Sequence, residues 1–348
     1  HLDDGAGAFE RAAAKLTGLS ADRVQVHVKF LGGGFGRRLE VDVARQAVTV
    51  AMAMKGRPVK LIWSREEDMR HDHYRQASIS RFKGAIDAGG RPTAWLNQYV
   101  EKHDPADAPH IPYSIDNQLI HYADSPTHVP WGFWRSVDNS LHGFFKESFI
   151  DELAIAAGKD PYEYRRELLA DQPRFRDILD LAAAKAGWGT SLPDNVGRGI
   201  AITKSFGSIV AQVVEAEIVN GSPKARRVVC AVDAGYAMHP DGMAAQMESG
   251  IIYGLTAALY GDISIRRGAV MQSNFHDYKM LRMNEAPMIE THIINGGDKI
   301  GGAGEPATPA IAPALANAIF DATGIRVREL PMSKIDFSEP SPESLDVV

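Results

Sequence analysis

Apolar and polar positions along this chain switch repeatedly between a period of two and a period near 3.6. Phe9 to Leu16 reads as a helix stopped by Gly18. Val24-Gln25-Val26-His27-Val28 alternates and predicts a strand, which runs into Leu31-Gly32-Gly33-Gly34-Phe35-Gly36-Arg37-Arg38. A helix over about Val41 to Met54 and a strand over Val59 to Trp63 complete a strand, glycine loop, helix, strand order of the α/β kind. Ser78 to Ile86 and Thr93 to Glu101 flank Asp87-Ala88-Gly89-Gly90-Arg91-Pro92, a hairpin turn by composition. His103 to Trp134, with Pro105, Pro109, Pro112, Pro126 and Pro130, predicts a long irregular segment. Such a segment is uncommon unless it covers or builds something. A helix over Leu141 to Ala157 ends at Gly158, and Asp160-Pro161 supplies the cap and first turn of the next.

The second half opens with strands near Gly199 to Thr203 and Val210 to Val219. Asn220-Gly221-Ser222-Pro223 then turns the chain into a strand over Ala225 to Val232. A helix over about Gly242 to Leu259 and further strands lead to Gly301-Gly302-Ala303-Gly304-Glu305-Pro306-Ala307 and a closing helix over Ile311 to Thr323. The expected fold is mixed α/β (α+β) in two α/β domains, 1–172 and 173–348, divided where Pro173 to Gly199 gives a short helix and a polar loop. The 348 residues, 45% hydrophobic, agree with two domains at roughly 100–200 residues each.

Composition narrows the function. A formal charge of -6 with no basic block excludes nucleic acid as the main partner. One Cys among 348 residues excludes an internal disulfide and any iron–sulfur cluster held by this chain's own cysteines, which takes about four. Cys230, inside Val228 to Val232, reads as a small buried hydrophobe. No window reaches the ~18 apolar residues of a spanning helix. The chain starts His1-Leu2-Asp3-Asp4 and not with Met, as a processed product, a fragment or an engineered form would.

Candidate chemistry sits in the loops. A lone carboxylate, Glu305, lies between Gly304 and Pro306, where glycine permits close approach and proline fixes direction, so a positioned proton acceptor is the sharper reading. Gly32 to Gly36 is either a tight turn or an anion cradle with Arg37 or Arg38. The dinucleotide fingerprint fails, because Arg37 stands where its third glycine belongs. Arg135, beside Phe133 and Trp134, is either a stacked surface residue or a donor to a ligand oxygen. Gln246 lies near a helix start, while Glu248 reads as a solvated charge. His71-Asp72-His73 has metal-binding spacing but no third ligand nearby, and Ser205-Phe206-Gly207-Ser208 reads as a loop against a ligand, not a nucleophile elbow.

Taken together, Gly-Gly-Gly-Phe-Gly-Arg-Arg, Trp134-Arg135-Ser136-Val137 and Gly-Ala-Gly-Glu-Pro-Ala-Thr-Pro resemble the molybdenum hydroxylases of the xanthine oxidase type. The likeness is to the large subunit of isoquinoline 1-oxidoreductase-like and membrane-associated aldehyde dehydrogenases, and it runs from Gly18 to Pro331. It extends to Trp63-Ser64-Arg65-Glu66-Glu67-Asp68-Met69 and Asn274-Phe275-His276-Asp277-Tyr278.

The resemblance implies a molybdopterin cytosine dinucleotide with Mo, bound jointly with another chain. It implies Glu305 as general base on a Mo–OH whose oxygen attacks an aldehyde or N-heteroaromatic carbon. It also implies cofactor contacts from Gly33, Gly34, Phe35, Gly36, Arg38, Trp134, Arg135, Gln246, Gly302 and Gly304, with no side-chain metal ligand. Electrons would leave through a separate small subunit with two 2Fe–2S clusters, and a cytochrome c acceptor belongs to the same expectation. So does a periplasmic or membrane-associated setting in a bacterium, in preference to the cytoplasm.

Leu39, where xanthine-type enzymes have a substrate-binding Glu, argues against purines, and Val137 replaces a clamping aromatic. The family's Glu-Met-Gly-Gln-Gly motif is absent here, so the likeness is to the C-terminal part of a large subunit, with the N-terminal part as a separate chain. Two alternatives stand beside this one. A non-catalytic scaffold of the same fold has little use for Glu305 in that turn, and a nicotinamide-dependent dehydrogenase is disfavoured by Arg37.

Overall fold

A computed structural model describes residues 2–105, 107–297 and 299–338, with side chains from residue 6 onward. In chain order the elements are α1 (Leu2–Thr17), α2 (Asp42–Ala53), α3 (Arg65–Arg70), β1 (Ile79–Ile86), β2 (Pro92–Glu101), β3 (Asn117–Asp124), α4 (Asn139–Ala156), α5 (Pro161–Leu168) and α6 (Pro173–Ala186). They continue with β4 (Val196–Ser205), β5 (Ser208–Val219), β6 (Ser222–Asp233), α7 (Pro240–Tyr260), β7 (Ile265–Arg266), β8 (Ala269–Val270), β9 (Met288–Ile294) and α8 (Thr308–Thr323). The fold is mixed α/β, as the alternating periods predict.

These elements fall into two compact units that the chain enters more than once. The first comprises residues 1–76, 127–137 and 263–277, and the second 77–126, 138–262 and 278–348.

The second unit is built on the four-stranded sheet β4-β5-β6-β9, antiparallel except for the parallel β6–β9 pair. Both faces of β5 are buried, which is why Ile209-Val210-Ala211-Gln212-Val213-Val214 is apolar almost without alternation. Val210, Val214, Val228, Cys230 and Val232 face α7 and α8, while Ile209, Ala211, Val213, Val229 and Ala231 face the layer holding α6 and Trp95. Burial pushes the Cys230 thiol up to about 12, so it packs as a hydrophobe. Helix α8 lies so close to β4 that a Cβ at Gly197 or Gly199 would strike its backbone at Ala318 or Ala314.

Buried charge ties the remaining helices of this unit together. Arg165 donates to Glu147 at 3.0 Å and Asp151 at 3.2 Å, Tyr113 donates to Glu147 at 2.7 Å, and Arg326 pairs with Asp151 at 2.7 Å. Within the segment predicted to be irregular, residues 117–124 instead form β3, parallel to β2 with Ala94 opposite Asn117. Its partner lies far away in sequence, so no local pattern announces it.

The first unit contains α1, α2, α3 and the small β7–β8 pair. Both of its predicted strands fail: residues 24–28 and 59–63 carry no ladder among the described residues. Alternation supplies a strand's faces but not its neighbour, and here none is present. Among the described residues of this unit, no hydrophobic side chain is buried.

Candidate active site

In the first unit the glycine loop and the Trp134–Arg135 loop meet. Gly36 has φ 94°, and a Cβ there would overlap the Phe133 carbonyl and come within 2.9 Å of the Trp134 amide nitrogen. Glycine is therefore required by the chain's own loop 131–134. That loop is anchored to Tyr74, which donates to Pro130 O and accepts from Gly132 N, each at 3.0 Å.

Arg135, only 3% exposed, lies with its guanidinium 5.7 Å from the Phe35 ring centre, and Arg75 stacks 4.4 Å from the Trp134 ring. Phe35 remains half exposed at 46%. Arg37 is committed to Asp42 and Asp72 and to the Trp63 face, whereas Arg38 is exposed and forms no ion pair among the described residues. Of the two arginines, only Arg38 has a charge left for a ligand. The space at Gly33 is taken by the Phe35 ring, and Gly34 has only ordinary contact with Arg38.

In the second unit Glu305 lies three residues before α8. Its carbonyl accepts from Thr308 N at 3.0 Å, and the next turn is fixed by Gln212 donating to Ala307 O at 2.7 Å. Glu305 is half-buried and Gly304 exposed. Behind the turn, α8 is buried on every side from Thr308 to Ile319, which gives the carboxylate a rigid base.

Gln246 projects from α7 one helical turn before Gly250, which packs against Ala307. A Cβ placed on Gly304 would be 3.7 Å from Gln246 Oε1, so the predicted glutamine and the predicted base are neighbours. Gly302 has a different cause for its glycine: a Cβ would sit 2.9 Å from Phe206 Cβ.

That contact belongs to the segment expected from sequence as a loop against a ligand. Ser205-Phe206-Gly207-Ser208 closes β4 onto β5 in a two-residue turn, with φ 52° at Phe206 and 81° at Gly207. Phe206 O accepts from Gly302 N at 2.8 Å, and the buried Ser208 hydroxyl donates to Gly302 O at 2.6 Å. The turn thus clamps both backbone groups of a residue three before Glu305. The same turn type recurs at Asn220-Gly221 with φ 51° and 73°, where Asn is the residue that tolerates it. A phenylalanine in that conformation is costly, a strain visible only in the backbone angle. Phe35 (φ 52°) and Val137 (φ 50°) are held in the same unfavourable region, both in loops picked out from the sequence.

His71 and His73 face Glu67, Glu40 and Asp42 at 3.5–3.7 Å, and no His, Cys, Asp or Glu group among the described residues could hold a metal ion.

Comparison with known proteins bears on the family. Two families, each described as a molybdopterin cofactor-binding domain, match residues 5–169 and 169–287. The chain is 32% identical over 344 residues to isoquinoline 1-oxidoreductase subunit beta of Brevundimonas diminuta, covering 92% of this chain and 44% of that one. It is 30% identical over 371 residues to the membrane-bound aldehyde dehydrogenase (pyrroloquinoline-quinone) of Gluconacetobacter polyoxogenes, covering 93% and 48%. The chain therefore spans less than half the length of these relatives. Quinoline 2-oxidoreductase from Pseudomonas putida 86 superposes with a TM-score of 0.78 over 94% of this chain and 70% of that one, at 13% identity.

Proposed function

The chain belongs to the xanthine oxidase family of molybdopterin-binding oxidoreductases, and on that premise we propose that it carries the base of a water-dependent hydroxylation. The substrate carbon is that of an aldehyde or an electron-poor N-heteroaromatic ring, which are the chemistries named in its relatives. The observation that carries the reading is the anchored Glu305 turn, clamped by Ser208 and Phe206 on one side and flanked by Gln246 on the other.

When bound, the molybdenum cofactor supplies an activated oxygen and accepts the electron pair leaving the substrate carbon. Glu305, three residues before the buried helix α8, would take the proton from the attacking oxygen. Gln246 would hold the pterin by hydrogen bonding. Arg135, Trp134, Phe35, Arg38 and the glycines at 33, 34 and 36 form a second set of contacts, with the buried guanidinium offering N–H donors to ligand oxygens. Gly304, exposed beside Gln246, would keep the base loop thin enough for a flat ligand to approach, and Gly302 would contribute through its backbone.

The assignment extends to the cytosine dinucleotide form of the cofactor, to residues 1–172 and 173–348 as its two binding halves, and to a cage completed by another polypeptide. Electrons would pass to a separate 2Fe–2S subunit and on to a cytochrome c, in a periplasmic or membrane-associated setting. A scaffold of the same fold without molybdenum is the competing reading.

Glu305→Gln in the assembled enzyme tests the base. It should retain stoichiometric Mo and pterin while losing ~10²–10⁴-fold in turnover. Wild-type rates would remove Glu305 from the mechanism. Purified complex lacking Mo, or holding a quinone cofactor in its place, would favour the scaffold or a different redox chemistry.

A further inference from the structure

The turn that carries Glu305 is short, and both of its ends are held. Residues 303–306 separate Gly302 from Ala307, whose carbonyl accepts from Gln212 at 2.7 Å. The segment before the turn is fixed on two sides. On one side Phe206 O accepts from Gly302 N at 2.8 Å, and Ser208 donates to Gly302 O at 2.6 Å. On the other, Ala234 O accepts from Gly301 N at 2.8 Å and Tyr236 N donates to Lys299 O at 3.3 Å. Gly235 O accepts from the amides of Gly296 and Gly297 at 3.2 and 3.3 Å. With φ 76°, Gly235 lies so near that a Cβ there would overlap Lys299 O.

One side chain joins the two supports. Arg174 is the second residue of α6, which packs on the sheet face opposite α8. Its Nη2 donates to Gly207 O at 3.3 Å and to Asp233 O at 3.2 Å. Its Nε pairs with the Asp233 carboxylate, whose other oxygen accepts from Gly235 N at 2.8 Å. Arg174 is half exposed, and such a pair adds little to global stability. Its place matters more, because Phe206 at φ 52° is a strained conformation that persists only where the surroundings over-determine it.

We propose that Arg174, acting with Asp233, is a positioning residue for Glu305. It holds the two supports of residues 299–302 at a fixed separation, and that separation sets where the chain enters the base turn. A planar guanidinium suits this role, since one fork reaches a carboxylate and two carbonyls together, whereas an ammonium is a point charge. The inference rests on the reading of Glu305 as the base and adds what directs it.

Arg174→Met in the assembled enzyme should lower kcat ~10-fold with substrate KM within about twofold, because a displacement of about an ångström at a reacting group has an effect of that size or larger. The amides of Gly301 and Gly302 should exchange with solvent roughly fivefold faster or more. Arg174→Lys keeps the charge and loses the fork, so both readouts should fall between those of Arg174→Met and wild type. That variant decides the matter if Arg174→Met does not fold. Arg166→Met removes a half-exposed pair with Asp180 and should leave kcat and both amides at wild-type values. Wild-type kcat in Arg174→Met, or unchanged exchange at both amides, would overturn the proposal. So would an Arg166→Met variant that matches Arg174→Met, or a KM rise as large as the fall in kcat. Wild-type rates in Glu305→Gln would break the functional reading and this inference with it. An inactive Glu305→Gln beside a fully active Arg174→Met would break this inference alone.

Discussion

Residues 209–214 and 24–30 have equally strong strand character, and they meet opposite fates. The first segment lies in the middle of a sheet with helices on both faces and is nowhere more than 1% exposed at its hydrophobic positions. The second has a cleaner alternation and ends with Phe30 wholly in solvent. Local pattern sets which side of a strand is apolar, but only a neighbour decides whether that side is buried. The second unit supplies its own neighbours, and the first does not.

Core truncation probes this contrast with the largest effect. Phe144 on α4 is 5% exposed and packs into the cluster around α7 and α8. Phe144→Ala should cost ~3–5 kcal/mol, read from the urea midpoint of the isolated chain. A loss below ~1 kcal/mol would show that the second unit's packing is no denser than the first unit's.

Ser208→Ala comes next, at ~1 kcal/mol, because Gly302 O would lose its donor in a partly buried setting. Its distinguishing readout is kinetic. If the clamp positions Glu305, kcat in the assembled enzyme should fall several-fold with substrate KM nearly unchanged. An equal rise in KM would make the clamp a binding element only.

The second unit was the more legible from sequence, for the same reason that it is the more complete. Its strands, the Asn220-Gly221 turn and helices α5 to α8 announce themselves through period and caps, because every apolar face they advertise is met within the chain. β3 was hidden, since its parallel partner β2 is distant in sequence. Among the candidate site residues, Gln246 and Glu305 were visible as residue types, and their adjacency needed the packing of Gly250 against Ala307. Phe206 and Ser208 passed as loop residues, because a strained phenylalanine is recognisable only once its φ is known. The glycines at 36 and 302 were seen, but their nearest cause is the chain's own backbone and Phe206, and no sequence pattern distinguishes that from room for a ligand.

A pH effect of about a kilocalorie should separate the units further. Lys146 is buried and donates to Ala108 O and His110 O at 2.9 Å, and burial lowers its ammonium to about 8. Between pH 8 and the ordinary lysine value near 10.4 the unfolded chain binds more protons than the folded one, so this group raises stability as pH rises. Tyr99, Tyr162 and Tyr164, pushed up to about 12 by burial, act in the opposite sense once the unfolded phenols ionise near pH 10. The Cys230 thiol, also pushed up to about 12, opposes Lys146 from about pH 8.5, where the unfolded thiol ionises, so the effect is read over pH 8 to about 9.5 as the difference between Lys146→Met and wild type, in which Cys230 cancels. The slope of unfolding free energy there should be flatter in Lys146→Met than in wild type, and identical slopes would mean that Lys146 stays charged when buried.

The smallest predicted change decides most. Phe30→Ala removes a large aromatic side chain, as Phe144→Ala does, but from a position with nothing packed over it. In the isolated chain it should shift stability by no more than ~0.5 kcal/mol, because an exposed ring has no transfer free energy to lose. A small effect in the isolated chain, set against the large one of Phe144→Ala, would uphold the contrast. A large effect in the isolated chain would mean that Phe30 is already packed, and the contrast between residues 209–214 and 24–30 would dissolve.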